Sequence, residues 1–399
     1  MLIHRRRFLK IAGGLAATVP FRSLTLGKEK KMSVGVVGGG IVGASIAMHL
    51  SKNGANVTLF EKSAPAKGAT GKSFAWINAF SNDPHYRSLR LKSISAYHEL
   101  DRELQLEIIW GGAIHWAESL AEAEIMKSNV EEFNQAGYSS HMITPEYLAE
   151  LAPNLRLGPF VSASFTQLDG HLDPVSTTRA LLNQAKQYGA KIIYPCEVTE
   201  LLSERNRFTG ISTTTGTYSL DRIVIAAGVD TPTLAAKAGY TPPLIHAPGI
   251  LVHTKQTVPL INQVIESPHM YFKQYRDGRI IGASPWNPPD IPEHQDILKG
   301  PQKMPDKIRE MHGERILDRI KNKLPGASDT AYDHLTLGFR PLPKDGYPIV
   351  GFSPDNSNVY IAVMHSGVTL AAIMGRYISH EIINNDLIDE LAPYRPDRF

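Results

Sequence analysis

Glycines at positions 38, 40 and 43, within "VGVVGGGIVGASIAMHLSKNGANVTLFEK" (Val34 to Lys62), are spaced to let a ligand come close to the backbone. Gly38 permits a tight turn, Gly40 lets a pyrophosphate lie against the main chain, and Gly43 lets the following helix pack on the preceding strand. Glu61 ends the next apolar run, where a carboxylate holds the hydroxyl pair of a ribose and repels a 2′-phosphate. The chemistry implied is binding of an adenine dinucleotide. "GATGKS", Gly68 to Ser73, imitates the end of a triphosphate-binding loop, but the first glycine of that pattern falls on Ala66 and no strand leads directly into it.

Those residues need elements to hold them. The pattern predicts a strand from Val34 to Val37, a helix from Ile41 to Leu50 and a second strand from Val57 to Phe60. Ile41 and Val42 then open a helix whose unpaired amides face the phosphates, and Lys62 follows Glu61 at the second strand's end. Further on, Asp173 and Pro174 read as the cap and first residue of a helix that Gly189 closes. A strand with Val198 follows, and "DRIVIAAGVDTP" (Asp221 to Pro232) reads as another strand and turn.

Composition narrows the classes. The chain has 399 residues, 42% of them hydrophobic and 20% charged, enough for a large core and two domains. The net charge of +3 is carried by residues 1–31, which hold eight Lys or Arg and one Glu; the remainder has 34 basic and 38 acidic residues. Without a dense basic stripe, nucleic acid is not an expected partner. No apolar run approaches the roughly 18 to 20 residues of a membrane span. Cys196 is the only cysteine, so neither an internal disulfide nor a redox pair can form, and the histidines show no metal-ligand spacing. An enzyme passing electrons from NADH through a flavin to a disulfide would need that pair and a second dinucleotide motif, and the sequence has neither.

Three separated pieces resemble the FAD-dependent D-amino-acid oxidase and glycine oxidase superfamily, from Ser33 to about Glu381. The first is the glycine fingerprint with Glu61, followed by "ATGKSFAWINA" (Ala69 to Ala79). In the family this segment crosses the pyrophosphate and flavin ring, which implies cofactor contacts for Ala69, Thr70, Phe74, Ala75 and Trp76. The second is the capped helix with Val198 and the Ala227–Gly228 turn, where the family contacts adenine and the cofactor. The third is "GFRPLPKDGYPIVG" (Gly338 to Gly351) with "VYIAVMHSGVTLAAIMGRYISHEI" (Val359 to Ile382). His365 and Ser366 lead there into Gly367, Val368 and Thr369, which would begin a helix aimed at the flavin's pyrimidine edge.

The resemblance also implies a substrate site. Arg340, in "GFRP", falls where the family carries an arginine that grips the substrate carboxylate, a task that suits the guanidinium fork. Tyr271 falls at a tyrosine that shares that carboxylate, and His269, two residues earlier, would shape the pocket from the same strand face. "FKQY" after Tyr271 departs from the family's more usual Pro-Arg ending. Core packing for Tyr271 and an ordinary ion pair for Arg340 are the competing readings.

The expected architecture is α/β (α+β overall): a discontinuous Rossmann-type FAD-binding domain from residues 33–81, 168–245 and 336–399, with an antiparallel-sheet substrate domain from 82–167 and 246–335. "SPWNPPDIPEHQD" (Ser284 to Asp296) reads as a long loop that could gate access. The expected reaction is oxidation of an amino or imino acid (D-amino acid, glycine, sarcosine or cyclic imino acid type) by hydride transfer to noncovalent FAD, with oxygen or a quinone as acceptor. A nicotinamide dehydrogenase and a catalytically idle flavin-binding module stay open at this level. The leader "RRRFLK", Arg5 to Lys10, resembles a twin-arginine export signal with Ile11 to Phe21 as its apolar part, so a periplasmic location is expected; translation from Met32 would give a cytoplasmic form.

Overall fold

Parallel pairing around the first strand organises the fold. Ser33–Val37 is apolar and nearly all buried, as a strand covered on both faces must be. It pairs in parallel with Asn56–Phe60 on one side and Arg222–Ile225 on the other. The whole sheet runs, in spatial order, Ile349–Ser353, Asn356–Val363, Arg222–Ile225, Ser33–Val37, Asn56–Phe60 and Lys191–Ile193. Only the outermost pair, Ile349–Ser353 with Asn356–Val363, is antiparallel. Strand order reverses at Ser33–Val37, which creates a crevice beyond its carboxyl end. The computed structural model describes residues 31–156, 158–204, 207–284 and 306–399, and Met32–Phe399 forms one compact unit.

One face of this sheet carries the helices Ile41–Lys52, Pro84–Leu104, Pro174–Gln187 and Gly367–Asn384, which share a single apolar core with it. The other face packs Val37, Phe60, Ile223 and Ile361 against Val198, Phe208 and Ile211 of a three-stranded antiparallel sheet, Val198–Glu204, Arg207–Thr213 and Gly216–Ser219. Helix Pro174–Gln187 begins at Asp173, whose carboxylate accepts from the amides of Val175 and Ser176, each at 2.9 Å. Asp173→Ala removes both bonds and is expected to cost about 1 kcal/mol; a urea midpoint equal to wild type would refute that value for the cap.

A second, eight-stranded sheet runs Tyr332–Pro343, Leu244–Thr254, Ile280–Ala283, Met270–Gln274, Val264–Ser267, Ala113–Ala117, Ser162–Thr166 and Ser140–Ile143. Strand alternation sorts its side chains. Val252, Phe272, Ile265 and Ile114 face helix Asp306–Lys323 through Ile316 and Ile320, whereas Leu251, Tyr271 and Ala283 face Phe74. The fold is a mixed α/β assembly of parallel and antiparallel sheets.

Three details differ from the sequence expectation. The second sheet is not purely antiparallel, because Val264–Ser267 pairs in parallel with Ala113–Ala117. Those strands come from the two separate inserts, so no hairpin dictates their relative direction. Helix Pro84–Leu104, assigned to the substrate side, buries Leu89, Ile94, Tyr97 and Leu100 in the parallel sheet's core. Tyr332–Pro343, which includes the expected boundary at 336, lies wholly in the second sheet through its long pairing with Leu244–Thr254. The proposed gating loop falls, from residue 285 onward, outside the described residues, as does the leader through residue 30. Among the described residues no helix is long and apolar enough to cross a membrane.

Candidate functional site

At the crevice the backbone leaves Ser33–Val37 through Gly38, held at φ +111° with its amide donating 2.9 Å to the Phe60 carbonyl. A Cβ there would lie 2.3 Å from the Ala226 oxygen, and one on Gly43 would lie 2.1 Å from the Gly38 oxygen. Gly43 therefore serves the close packing of helix on turn and does not line the cavity. Glu61 is preset by the backbone: one carboxylate oxygen accepts from Gly39 and the other from Ser63, both at 2.8 Å. Thr70 Oγ1 accepts the Ile41 amide at 3.1 Å, which ties the Ala69–Ala79 segment to the helix start. Lys62 and Asp230 bridge neighbouring segments at 2.7 Å, and that carboxylate raises the Lys62 pKa.

A cavity of about 700 Å³ follows this turn. Gly38, Gly40, Ile41, Val42, Glu61, Lys62, Ala69 and Thr70 line it from the first segment; Val198, Ala227 and Gly228 line it from the second; His365, Gly367 and Val368 from the third. Cys196 is also in its wall. A second cavity of about 480 Å³ is lined by Phe74, Ala75, Trp76, Ser366, Thr369, Tyr271 and Arg340, among others. Ala69, Ser73, Pro341, His365 and Val368 line both, so the two spaces adjoin along that shared wall.

Arg340 stands on Tyr332–Pro343 and donates only long bonds, Nε to the Ala247 carbonyl at 3.4 Å and a terminal nitrogen to that of Pro248 at 3.3 Å. Among the described residues no carboxylate pairs with it. Burial lowers its pKa, the direction expected of a partly desolvated cation. Tyr271 packs edge-on against Phe74, with ring centroids 4.6 Å apart. Burial pushes its hydroxyl up to about 12 against the pull of the Arg340 charge, so it stays a neutral donor. His365 is pulled down to about 4, by burial first and then by the charges of Arg340 and Arg90, which leaves a neutral imidazole at the junction of the cavities.

His269 does not join this group. The chain turns at residues 268–269, before Met270–Gln274 begins, so strand alternation does not carry back from Tyr271. The His269 side chain is 69% exposed and its Nε2 lies 3.1 Å from the Glu118 carboxylate.

Several residues that position the site carry no signal in the sequence. Arg90, on Pro84–Leu104, donates to the Asn78 carbonyl at 3.0 Å and to Ser366 Oγ at 3.3 Å. Ser93 and Tyr97 of the same helix donate to the carbonyls of Thr369 and Val368, at 2.6 and 2.5 Å. One helix thus fixes the start of Gly367–Asn384. Lys273 is wholly buried and donates to the carbonyls of Ala75 and Leu172, both at 3.1 Å, and so supports the Ala69–Ala79 segment. Trp76 Nε1 donates 2.8 Å to the buried Asp169, which also accepts from Tyr138 and whose pKa burial raises to about 7. Among the described residues no group of three or more His, Cys, Asp or Glu could hold a metal ion.

A model of the FAD dependent oxidoreductase family matches residues 33–381. The chain belongs to that family. Dimethylglycine dehydrogenase of Homo sapiens is 26% identical over 399 aligned residues, covering 95% of this chain and 46% of the relative. Glycine oxidase of Bacillus licheniformis is 25% identical over 369 residues, covering 91% of this chain and 96% of the relative. The chain therefore spans about half of the former and nearly all of the latter. The solved structure of L-proline dehydrogenase from P. horikoshii superposes with a TM-score of 0.80 at 25% identity, covering 93% of this chain and 98% of that one.

Family membership decides between the two dinucleotides in favour of FAD, and the residues present fit it. Above Gly40 the cradle is open: an added Cβ meets only Thr70 Oγ1, at 3.0 Å. The helix amide at Val42, in the cavity wall, lacks an intrahelical partner and suits a pyrophosphate. Glu61 suits the ribose. The shared wall with the smaller cavity is where a flavin ring would lie, with the amino end of Gly367–Asn384 beside it.

Proposed function

We propose that this chain oxidises an amino or imino acid at the carbon bearing nitrogen. The observation that carries the reading is Arg340: a partly buried guanidinium without a carboxylate partner among the described residues, lining the cavity that adjoins the FAD cradle. A buried charge left unpaired is costly, so the arrangement calls for an anion that arrives with the ligand. A substrate carboxylate meets that need through two parallel N–H···O bonds. Tyr271, neutral and on the same wall, supplies an additional donor. Phe74, Trp76 and Leu251 add an apolar stretch of wall against which the reacting carbon can be held. FAD, when bound, takes up the hydride and so supplies the oxidising power. His365 stays uncharged beside the two arginines and so adds no third positive charge at the junction.

This reading sets aside the idle flavin-binding module, which would not need an unpaired arginine in an adjoining cavity. The glycine oxidase and dimethylglycine dehydrogenase relatives support the substrate class. The test is anaerobic mixing of the purified holoprotein with D-amino acids, glycine, sarcosine and cyclic imino acids, following loss of the visible flavin band. No bleaching by any of them would reject the proposal. Oxygen and a soluble quinone, added separately after bleaching, show which acceptor restores the band.

The export signal belongs to the same proposal. Arg5, Arg6 and Arg7 with Phe8 and Leu9 support passage by the twin-arginine route, which accepts folded, cofactor-loaded proteins. Arg5→Lys with Arg6→Lys is expected to leave the protein in the cytoplasm, read by fractionation. Unchanged accumulation outside the cytoplasm would count against the signal.

A further inference from the structure

The substrate cavity has a negative pole as well as a positive one. Glu266 is the only carboxylate in its lining among the described residues, and it belongs to Val264–Ser267. Strand register places it directly opposite Tyr271 on one side and His115 on the other. Residues so paired share a face of the sheet, and Tyr271 marks that face as the one turned to the cavity. His115 Nδ1 lies 2.8 Å from Glu266 Oε2, while nothing among the described residues donates to the other oxygen, Oε1. The histidine ring is fixed in turn by Trp76, tilted against it at 5.8 Å, which Asp169 anchors from behind. Both the Arg340 and the Glu266 charges act on the Tyr271 hydroxyl, from opposite signs. Tyr271 therefore stands between the two poles.

We propose that Glu266, held by His115, binds the cationic nitrogen of the substrate while Arg340 holds its carboxylate, so that the cavity selects carboxylates that carry a positive charge. This deepens the reading above and rests on it. With His115 on one oxygen, the other oxygen of this cavity-lining carboxylate is left for a ligand. The pair also sets a pH dependence. Burial works against protonation of His115, but its hydrogen bond and charge interaction with Glu266, with a lesser one from Asp169, raise its pKa overall. Below that value the imidazolium offsets the Glu266 charge. As pH rises through it the proton is lost, Glu266 is left uncompensated, and affinity for a cation increases; Tyr271 and Arg340 keep their charge states in this range, while Asp169, which acts on His115 and whose pKa burial raises to about 7, becomes negative within it and adds to the same trend.

The experiment uses two ligands of one shape. N,N,N-trimethylglycine has a permanent positive charge and no nitrogen lone pair to lose, and 3,3-dimethylbutanoate replaces its nitrogen with carbon. Binding of each to the full-length holoprotein is measured by calorimetry and by perturbation of the flavin absorption, from about pH 6 to 9, a span chosen to bracket the ordinary histidine pKa. The expected result is that wild type prefers trimethylglycine by about tenfold or more at the alkaline end, equivalent to about 1.4 kcal/mol, and by less at the acid end. Glu266→Gln should abolish the preference, and His115→Asn should flatten its pH dependence, leaving only the smaller part that Asp169 contributes. Arg340→Met should weaken both ligands alike. Equal binding of the two by wild type, with both still sensitive to Arg340→Met, would overturn the Glu266 assignment and leave the carboxylate clamp standing. Binding of both that is indifferent to Arg340→Met, or no binding of either, would overturn the clamp and this inference together.

Discussion

Gly40→Val yields a folded protein without its yellow colour. A Cβ on Gly40 meets nothing but Thr70 Oγ1, at 3.0 Å, so the main chain can keep its path. The two methyls of valine, however, enter the space that the phosphates need, and the amides around them can no longer be approached. Overpacking of this kind costs about 1–3 kcal/mol, and lost phosphate hydrogen bonds add to it, so FAD affinity should fall by roughly a hundredfold. The ratio of visible to ultraviolet absorbance of the purified variant reports this directly, and far-ultraviolet circular dichroism reports the fold. Gly43→Ala is the contrast: its Cβ would lie 2.1 Å from the Gly38 carbonyl, so that variant should lose the fold along with the cofactor. A fully flavinated Gly40→Val protein would show that the dinucleotide lies elsewhere.

Arg340→Met keeps its flavin and loses its substrate. The side chain lines only the smaller cavity, so FAD content should match wild type. A charge-assisted, bidentate contact is worth about 1.5–3 kcal/mol, which corresponds to a fall of roughly 10- to 150-fold in kcat/KM for carboxylated substrates. Arg340→Lys should recover part of the loss, since lysine restores the charge without the fork. Simple amines lacking a carboxylate should be indifferent to either change. Undiminished flavin reduction by carboxylated substrates in Arg340→Met would remove the clamp from this position.

What could be read from the chain alone depended on how far apart the interacting residues lie. The turn at Gly38 to Gly43 and the carboxylate at Glu61 form a local pattern whose spacing is dictated by one strand, one turn and one helix. Asp173 as a cap is equally local, because its partners are two and three residues away. Arg340 was reached through resemblance, and no local pattern marks it. Glu266 and His115 were missed, since their meeting depends on parallel pairing between strands from separate inserts, a register that neither segment encodes by itself. Arg90 was missed for a related reason: an arginine on an amphipathic helix reads as solvent-facing until the C-terminal helix is placed beside it. His269 was misplaced by extending strand alternation across a turn that "SPH" begins one residue too early for it.

The nucleotide cradle is assembled from residues that leave the ribosome at very different times. Ser33–Val37 and the Gly38 turn are made early, but one flanking strand of that sheet is Arg222–Ile225, and beyond it comes Asn356–Val363. The helix that closes the site, Gly367–Asn384, is synthesised after both. A nascent chain therefore carries an apolar strand with an open edge until those later strands are made, a state prone to wrong pairing. FAD cannot find its complete site until Gly367–Asn384 has been made, more than 300 residues after the turn that receives the pyrophosphate, so cofactor loading has to wait for a segment far along the chain.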